Sequence, residues 1–150
     1  TGIIYSEISA DGSYSDLLYV PYGTSRKPIN KKKNDYFLQM KGNEVFKVAV
    51  KKLESIAINT IKKNDLTSDD IDWFIPHQAN IRIIQAVAKR LDMPMEKVIV
   101  TLSEHGNTSA ASIPLALDKA ITDGRISKGD KILMQSFGAG FTWGTVLLTL

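Results

Sequence analysis

Twice in this chain a short apolar run breaks into polar residues and passes straight into a helical pattern. Ile71–Pro76 leads into 80–91, and Val98–Leu102 leads into 108–122. A strand, a helix and a further strand in succession imply crossover connections, and crossovers join parallel strands. In the first of these helices Ile81, Ile84, Val87, Ala88 and Leu91 recur at three- and four-residue steps. The longest pattern of this kind covers 42–63. There Phe46, Ala49, Val50, Leu53, Ile56, Ala57 and Ile61 share one face, and Lys47, Lys51, Lys52 and Glu54 fill the other. Pro114 must lie early in the third helix or bend it, because its ring and missing N–H disrupt a helix interior.

Residues 1–10, with Ile3, Ile4 and Ile8, read as an opening strand, and Ile132–Ser136 and Thr145–Leu150 as the last two. The glycine-rich stretch Phe137–Gly144 between those two is short, so they should form an antiparallel hairpin. Thr67–Asp70 carries a helix-start signal for one short turn, and Pro94–Lys97 reads as another turn. Residues 11–36, rich in Gly, Tyr, Ser, Pro and Lys and including Lys31, Lys32 and Lys33, read as an ordered surface excursion with a lysine tip. The order is β-α-β-α-β-α-β-β. It predicts one α/β domain over 1–150, with a five-stranded mixed, mainly parallel sheet and helices on both faces.

Composition narrows the function. Apolar residues make up 43% and charged ones 23%, as in ordinary globular proteins. No apolar run is long enough for a bilayer, no secretory signal opens the chain, and the missing initiator Met suggests trimming or a fragment. There is no cysteine, which removes disulfides, thiolate metal sites and a cysteine nucleophile from this chain and points to a reducing compartment. Two histidines without metal-ligand spacing make a poor metal site. No G-x-S-x-G elbow, phosphate-binding glycine loop or nucleic-acid motif occurs. The net charge of +3 fits either a solvated surface or an acidic partner.

The candidate chemistry sits where the apolar runs end. Ligands of open α/β sheets bind outside the carboxyl ends of strands. Trp73-Phe-Ile-Pro-His-Gln-Ala-Asn80 puts His77 at such an end, and His105-Gly-Asn-Thr-Ser-Ala-Ala-Ser112 puts Asn107 at another. An imidazole and a carboxamide there could donate hydrogen bonds to a developing oxyanion. Taken singly, His77 reads as a structural or loop residue, and in a functional role as a hydrogen-bond donor or equally a general base; Asn107 taken singly reads as a helix cap or a turn residue. His105 lies beside Asn107, but the motif places the chemistry on Asn107. An N–H in Phe137–Gly144 could serve as a further oxyanion donor, or the stretch could be a plain turn. Arg82, Lys47, Lys89 and Arg90 could form a basic rim, or simply solvated helix faces.

Taken together, Pro76-His-Gln-Ala-Asn80, Gly106-Asn-Thr-Ser-Ala-Ala-Ser112 and Phe137-Gly-Ala-Gly-Phe-Thr-Trp-Gly144 resemble the C-terminal half of a β-ketoacyl-acyl-carrier-protein synthase III. Asp11-Gly-Ser and Gly42-Asn-Glu-Val-Phe-Lys47 match the same half in order. The resemblance implies one half of a thiolase fold. It implies an enzyme that condenses a short acyl-CoA with malonyl-acyl-carrier-protein, releasing carbon dioxide, to start fatty acid synthesis. His77 and Asn107 are then two members of a Cys-His-Asn set. The backbone near Ala139 contributes to an oxyanion hole. Asn80, Gly42 and Phe46 line the pantetheine tunnel, and Arg82, with Lys47, Lys89 and Arg90, receives the acidic carrier protein.

No cofactor beyond these substrates, no metal, no nucleic acid and no membrane is implied. The implied partners are the N-terminal half, acyl carrier protein, acyl-CoA and a second copy in a homodimer, in the cytoplasm. Because the nucleophilic cysteine belongs to the other half, this chain alone is expected to be inactive in condensation. Two alternatives remain open: another His/Asn condensing enzyme of the type III polyketide synthase kind, and a non-catalytic module that binds carrier protein or CoA.

Overall fold

The computed structural model describes residues 1–22 and 37–150. The lysine run Lys31–Lys33 and most of the expected surface excursion therefore lie outside the described residues. The elements are β1 (Gly2–Ala10), β2 (Leu18–Tyr19), β3 (Gln39–Met40), α1 (Gly42–Lys63), β4 (Trp73–Pro76), α2 (Ile81–Arg90), α3 (Leu102–His105), α4 (Ser112–Thr122), β5 (Lys131–Gly138) and β6 (Thr142–Thr149). The main sheet has four strands in the order β1-β6-β5-β4, and β2 and β3 form a separate two-stranded sheet.

The sheet is mixed, as expected, but it is not mainly parallel. β4 and β5 pair parallel, whereas β5–β6 and β6–β1 are antiparallel. The opening strand returns beside the last one, so that Gly2 faces Thr149 across the ladder. The hairpin is also tighter than the glycine-rich stretch suggested. β5 runs on to Gly138 and β6 starts at Thr142, so only 139–141 form the connection.

The expected strand Val98–Leu102 is reduced to one parallel bridge, Phe74 to Val98. The reason lies in Pro76. After the bond from the Ile99 N–H to the Phe74 carbonyl (2.9 Å), the next parallel ladder bond would need an N–H at position 76. Proline has none. The side chain of Gln78 takes the place of the missing rungs. Its Nε2 donates to the carbonyls of Pro76 (2.8 Å) and Ile99 (3.1 Å), and its Oε1 accepts from the Thr101 N–H (2.9 Å). The chain then turns into α3.

Alternation along the strands sorts the core into two layers. Phe74, Leu133 and Leu147 pack against Leu53 and Ala57 of α1 and Ile84 and Val87 of α2. Ile75 and Ile132 face the other way, against Ala116 and Ala120 of α4. Helices thus lie on both faces, as the sequence predicts. α4 begins at Ser112, later than expected, after a 3-10 turn at Ser109–Ala111. Pro114 falls in its first turn, where no intrahelical N–H is required. At 11 residues, α4 is only about 16 Å long and covers the β4 side of its face. Beside it an open groove of about 460 Å³ runs over the sheet, lined by Ser6, Ile8, Ile113, Met134, Ser136 and Val146.

Candidate active site

Because β4 and β5 are parallel, their carboxyl ends share one edge of the sheet. His77 is the first residue past β4, and its N–H continues the ladder to the Gln135 carbonyl (2.7 Å). The imidazole is half-buried and turns toward α4, where Nδ1 lies 2.6 Å from Ser112 Oγ. Ser112 is the first residue of α4 and is buried. Its Oγ also accepts from the Gln78 N–H at 3.3 Å. Burial holds the His77 pKa below the usual histidine range, so the ring is neutral at pH 7. A cavity of about 30 Å³ lies behind it, lined by Leu53, Ile83, Val87, Gln135 and Phe137 among others. Among the described residues Nε2 has no protein partner.

Asn107 is exposed in the turn between α3 and the 3-10 turn. Gly106, before it, holds φ 64° and ψ −158°, a conformation open essentially only to glycine. The Asn107 Oδ1 accepts from the Ser109 N–H at 2.9 Å, and among the described residues the Nδ2 protons have no acceptor. His77 and Asn107 are linked through one segment, since Ser112 lies five residues after Asn107 and holds the imidazole. His105 ends α3 on the exposed surface.

Ala139 lies exposed in the β5–β6 connection, past His77 at the same sheet edge. Its carbonyl accepts from Thr142 Oγ1 at 3.2 Å. The connection is anchored by Phe141, fully buried between Tyr14 (ring centroids 5.3 Å apart) and Phe137 (4.7 Å). Both backbone groups of Phe141 also pair with Asp11 at 2.8 Å.

The remaining candidates gather at the N-terminal ends of α1 and α2. Asn80 caps α2, its Oδ1 accepting from the Arg82 N–H at 2.9 Å. The Arg82 guanidinium sits over the Phe46 ring, 5.5 Å from its centroid, and Gly42 opens α1 one turn before. Arg90 pairs instead with Glu54 of α1. The two contacts are each eight residues further along, so α1 and α2 run in the same direction. Arg90 therefore stands about 12 Å from Arg82 along α2. Lys47 and Lys89 are exposed at opposite ends of this pair. The basic rim is thus divided, with Arg82 and Lys47 near the strand edge and Lys89 and Arg90 away from it.

Two residues of the site are not readable from local pattern, Ser112 and Gln78. Both lie inside the motifs quoted above, and apart from Pro76 their partners are far along the chain.

Comparison with known proteins shows the family of the chain. Residues 61–150 match the family model described as 3-oxoacyl-[acyl-carrier-protein (ACP)] synthase III C terminal. The chain is 55% identical over 147 residues to a beta-ketoacyl-[acyl-carrier-protein] synthase III of Thioalkalivibrio sulfidiphilus, covering 98% of this chain and 46% of the relative. It is 56% identical over 148 residues to the protein of that name from Vesicomyosocius okutanii, covering 99% and 45%. The crystal structure of 3-oxoacyl-[acyl-carrier-protein] synthase III from Aquifex aeolicus VF5 superposes with a TM-score of 0.88 at 42% identity, covering 99% of this chain and 44% of that one. The chain therefore spans about half the length of the curated relatives it matches. On these grounds it belongs to the 3-oxoacyl-acyl-carrier-protein synthase III family and corresponds to that family's C-terminal, thiolase-like half.

Proposed function

We propose that this chain supplies the histidine–asparagine half of a site for decarboxylating condensation, joining a short acyl group to malonyl held on acyl carrier protein at the start of fatty acid synthesis. The observation that carries this reading is His77: a neutral imidazole, held through Nδ1, with Nε2 unclaimed among the described residues, at the sheet edge that also carries the Asn107 segment. When the malonyl thioester loses carbon dioxide, the bonding pair moves onto the thioester carbon–oxygen unit as an enolate. His77 Nε2–H and Asn107 Nδ2–H donate to that oxygen. The enolate carbon then attacks the acyl thioester, forming the new carbon–carbon bond and expelling the thiolate. The backbone near Ala139 donates to the second oxyanion.

The family's nucleophile is a cysteine, and this chain has none. The acyl-enzyme step therefore belongs to the N-terminal half, with acyl-CoA and malonyl-acyl-carrier-protein as substrates and no further cofactor. Gly42, Phe46 and Asn80 face the pantetheine arm, and Arg82 with Lys47 meets the acidic carrier protein. The complete enzyme works as a cytoplasmic homodimer.

The test is decarboxylation of malonyl-acyl-carrier-protein by protein carrying both halves. His77→Ala and Asn107→Ala should each lower the rate by about 10²–10³-fold, the usual loss for one oxyanion donor. Rates equal to the parent would overturn the reading.

A further inference from the structure

We infer that Ser112 sets the tautomer of His77, its hydroxyl donating to Nδ1 so that the ring proton resides on Nε2. The inference deepens the proposed function, since it explains how His77 becomes a donor and not a base. The argument is one of proton accounting. A serine hydroxyl has one proton to give and two lone pairs to receive. A backbone N–H can only donate, so the Gln78 N–H, 3.3 Å away, takes one lone pair of Ser112 Oγ.

The hydroxyl proton then needs an acceptor. Ser112 is 2% exposed, so bulk water does not provide one. The only other polar partner of Oγ among the described residues is His77 Nδ1, at 2.6 Å. If Nδ1 carried the proton, Oγ would face two donors and its own proton would be buried without an acceptor. The burial that holds His77 neutral limits the ring to one proton, so accepting at Nδ1 fixes that proton on Nε2.

Nε2 has no protein partner among the described residues, and its N–H is available to an oxygen acceptor. Gln78 takes part at one remove. Its carboxamide is locked between Pro76 and the 99–101 segment, which holds its N–H against Ser112. Ser112 is therefore a positioning residue, acting through His77.

The test is nitrogen NMR on the 150-residue chain labelled with ¹⁵N-histidine at neutral pH, without substrate. The second histidine, His105, is assigned with a His105→Asn variant. In the parent, His77 should show a protonated, pyrrole-type Nε2 and a pyridine-type Nδ1. Water alone mildly favours that tautomer, so the decisive readout is a change on substitution. In Ser112→Ala the two nitrogen shifts should move toward each other as the Nδ1–H form becomes populated, and Ser112→Thr, which keeps the hydroxyl, should restore the parent pattern. A pyrrole-type Nδ1 in the parent overturns the inference without needing any variant. So does a folded Ser112→Ala protein with unchanged shifts. If the tautomer result holds but His77→Ala leaves decarboxylation intact, the proposed function fails and the role of Ser112 stands.

Discussion

Gln78 serves three stretches of chain with four hydrogen bonds, and it is fully buried while doing so. Gln78→Met keeps its length and removes every side-chain bond. The Pro76 and Ile99 carbonyls and the Thr101 N–H would then lose their partner. An orphaned buried polar group costs roughly 1–3 kcal/mol, so urea unfolding should show a loss of about 3 kcal/mol or more. His77 gives a second expectation. Folding favours its neutral form, so the unfolded chain takes up a proton more readily once the pH drops below about 6.5. Stability should therefore fall on acidification from about pH 7.5 to about 5.5, and fall less in His77→Gln, as read from urea midpoints. The carboxylates whose pKa values are depressed by hydrogen bonds, such as Asp70 and Asp123, lose their contribution only at lower pH. At this scale the sequence singles out His77 and Asn107 because each follows an apolar run inside a motif, and the structure places His77 at the end of β4 and Asn107 in the turn after α3. Ser112 and Gln78 stayed hidden because all their partners but Pro76 lie 21 to 35 positions away and leave no local periodicity.

Among the elements, α1 was legible to the residue, since 22 positions of helical spacing leave no competing pattern. The 98–102 segment was misread for an equally physical reason. Its composition suits a strand, but strand formation is a property of a pair, and its neighbour ends in a proline followed by a competing amide. α4 was placed correctly but begins late, after Gly106 and the 3-10 turn absorb the change of direction. The cap of α2 separates two roles for Asn80. Asn80→Ala should cost about 1 kcal/mol of stability in denaturant unfolding, and Asn80→Asp should retain most of it, because either side-chain oxygen can accept from the Arg82 N–H. An unchanged stability in Asn80→Ala would leave only a contact with substrate to explain the residue. The Glu54–Arg90 pair joins the same two helices at the surface, where such pairs contribute about 1 kcal/mol at most.

Over the whole molecule, the layer order came from alternation in the sequence, but the antiparallel return of β1 did not, because no local signal records which edge an opening strand will choose. That return leaves an apolar strip uncovered beside α4. Ile3 and Ile8 on β1 are 72% and 86% exposed, next to the groove that includes Met134 and Val146. Patches of this kind promote association. Light scattering at micromolar concentration should show this chain above monomer mass, and Ile8→Lys should shift it toward monomer. A parent protein that stays monomeric would mean the strip is too small to drive contact. No helix among the described residues is long and apolar enough to cross a membrane.

The pairing of Gly2 with Thr149 has one more consequence. Cross-strand neighbours in an antiparallel ladder stand only about 5 Å apart, so a few glycines could splice the two termini into a closed loop. New ends could then be opened at the exposed Asp123–Gly124 corner without breaking a strand. A version of these 150 residues permuted in this way would keep His77, Ser112 and Asn107 in the same three-dimensional arrangement.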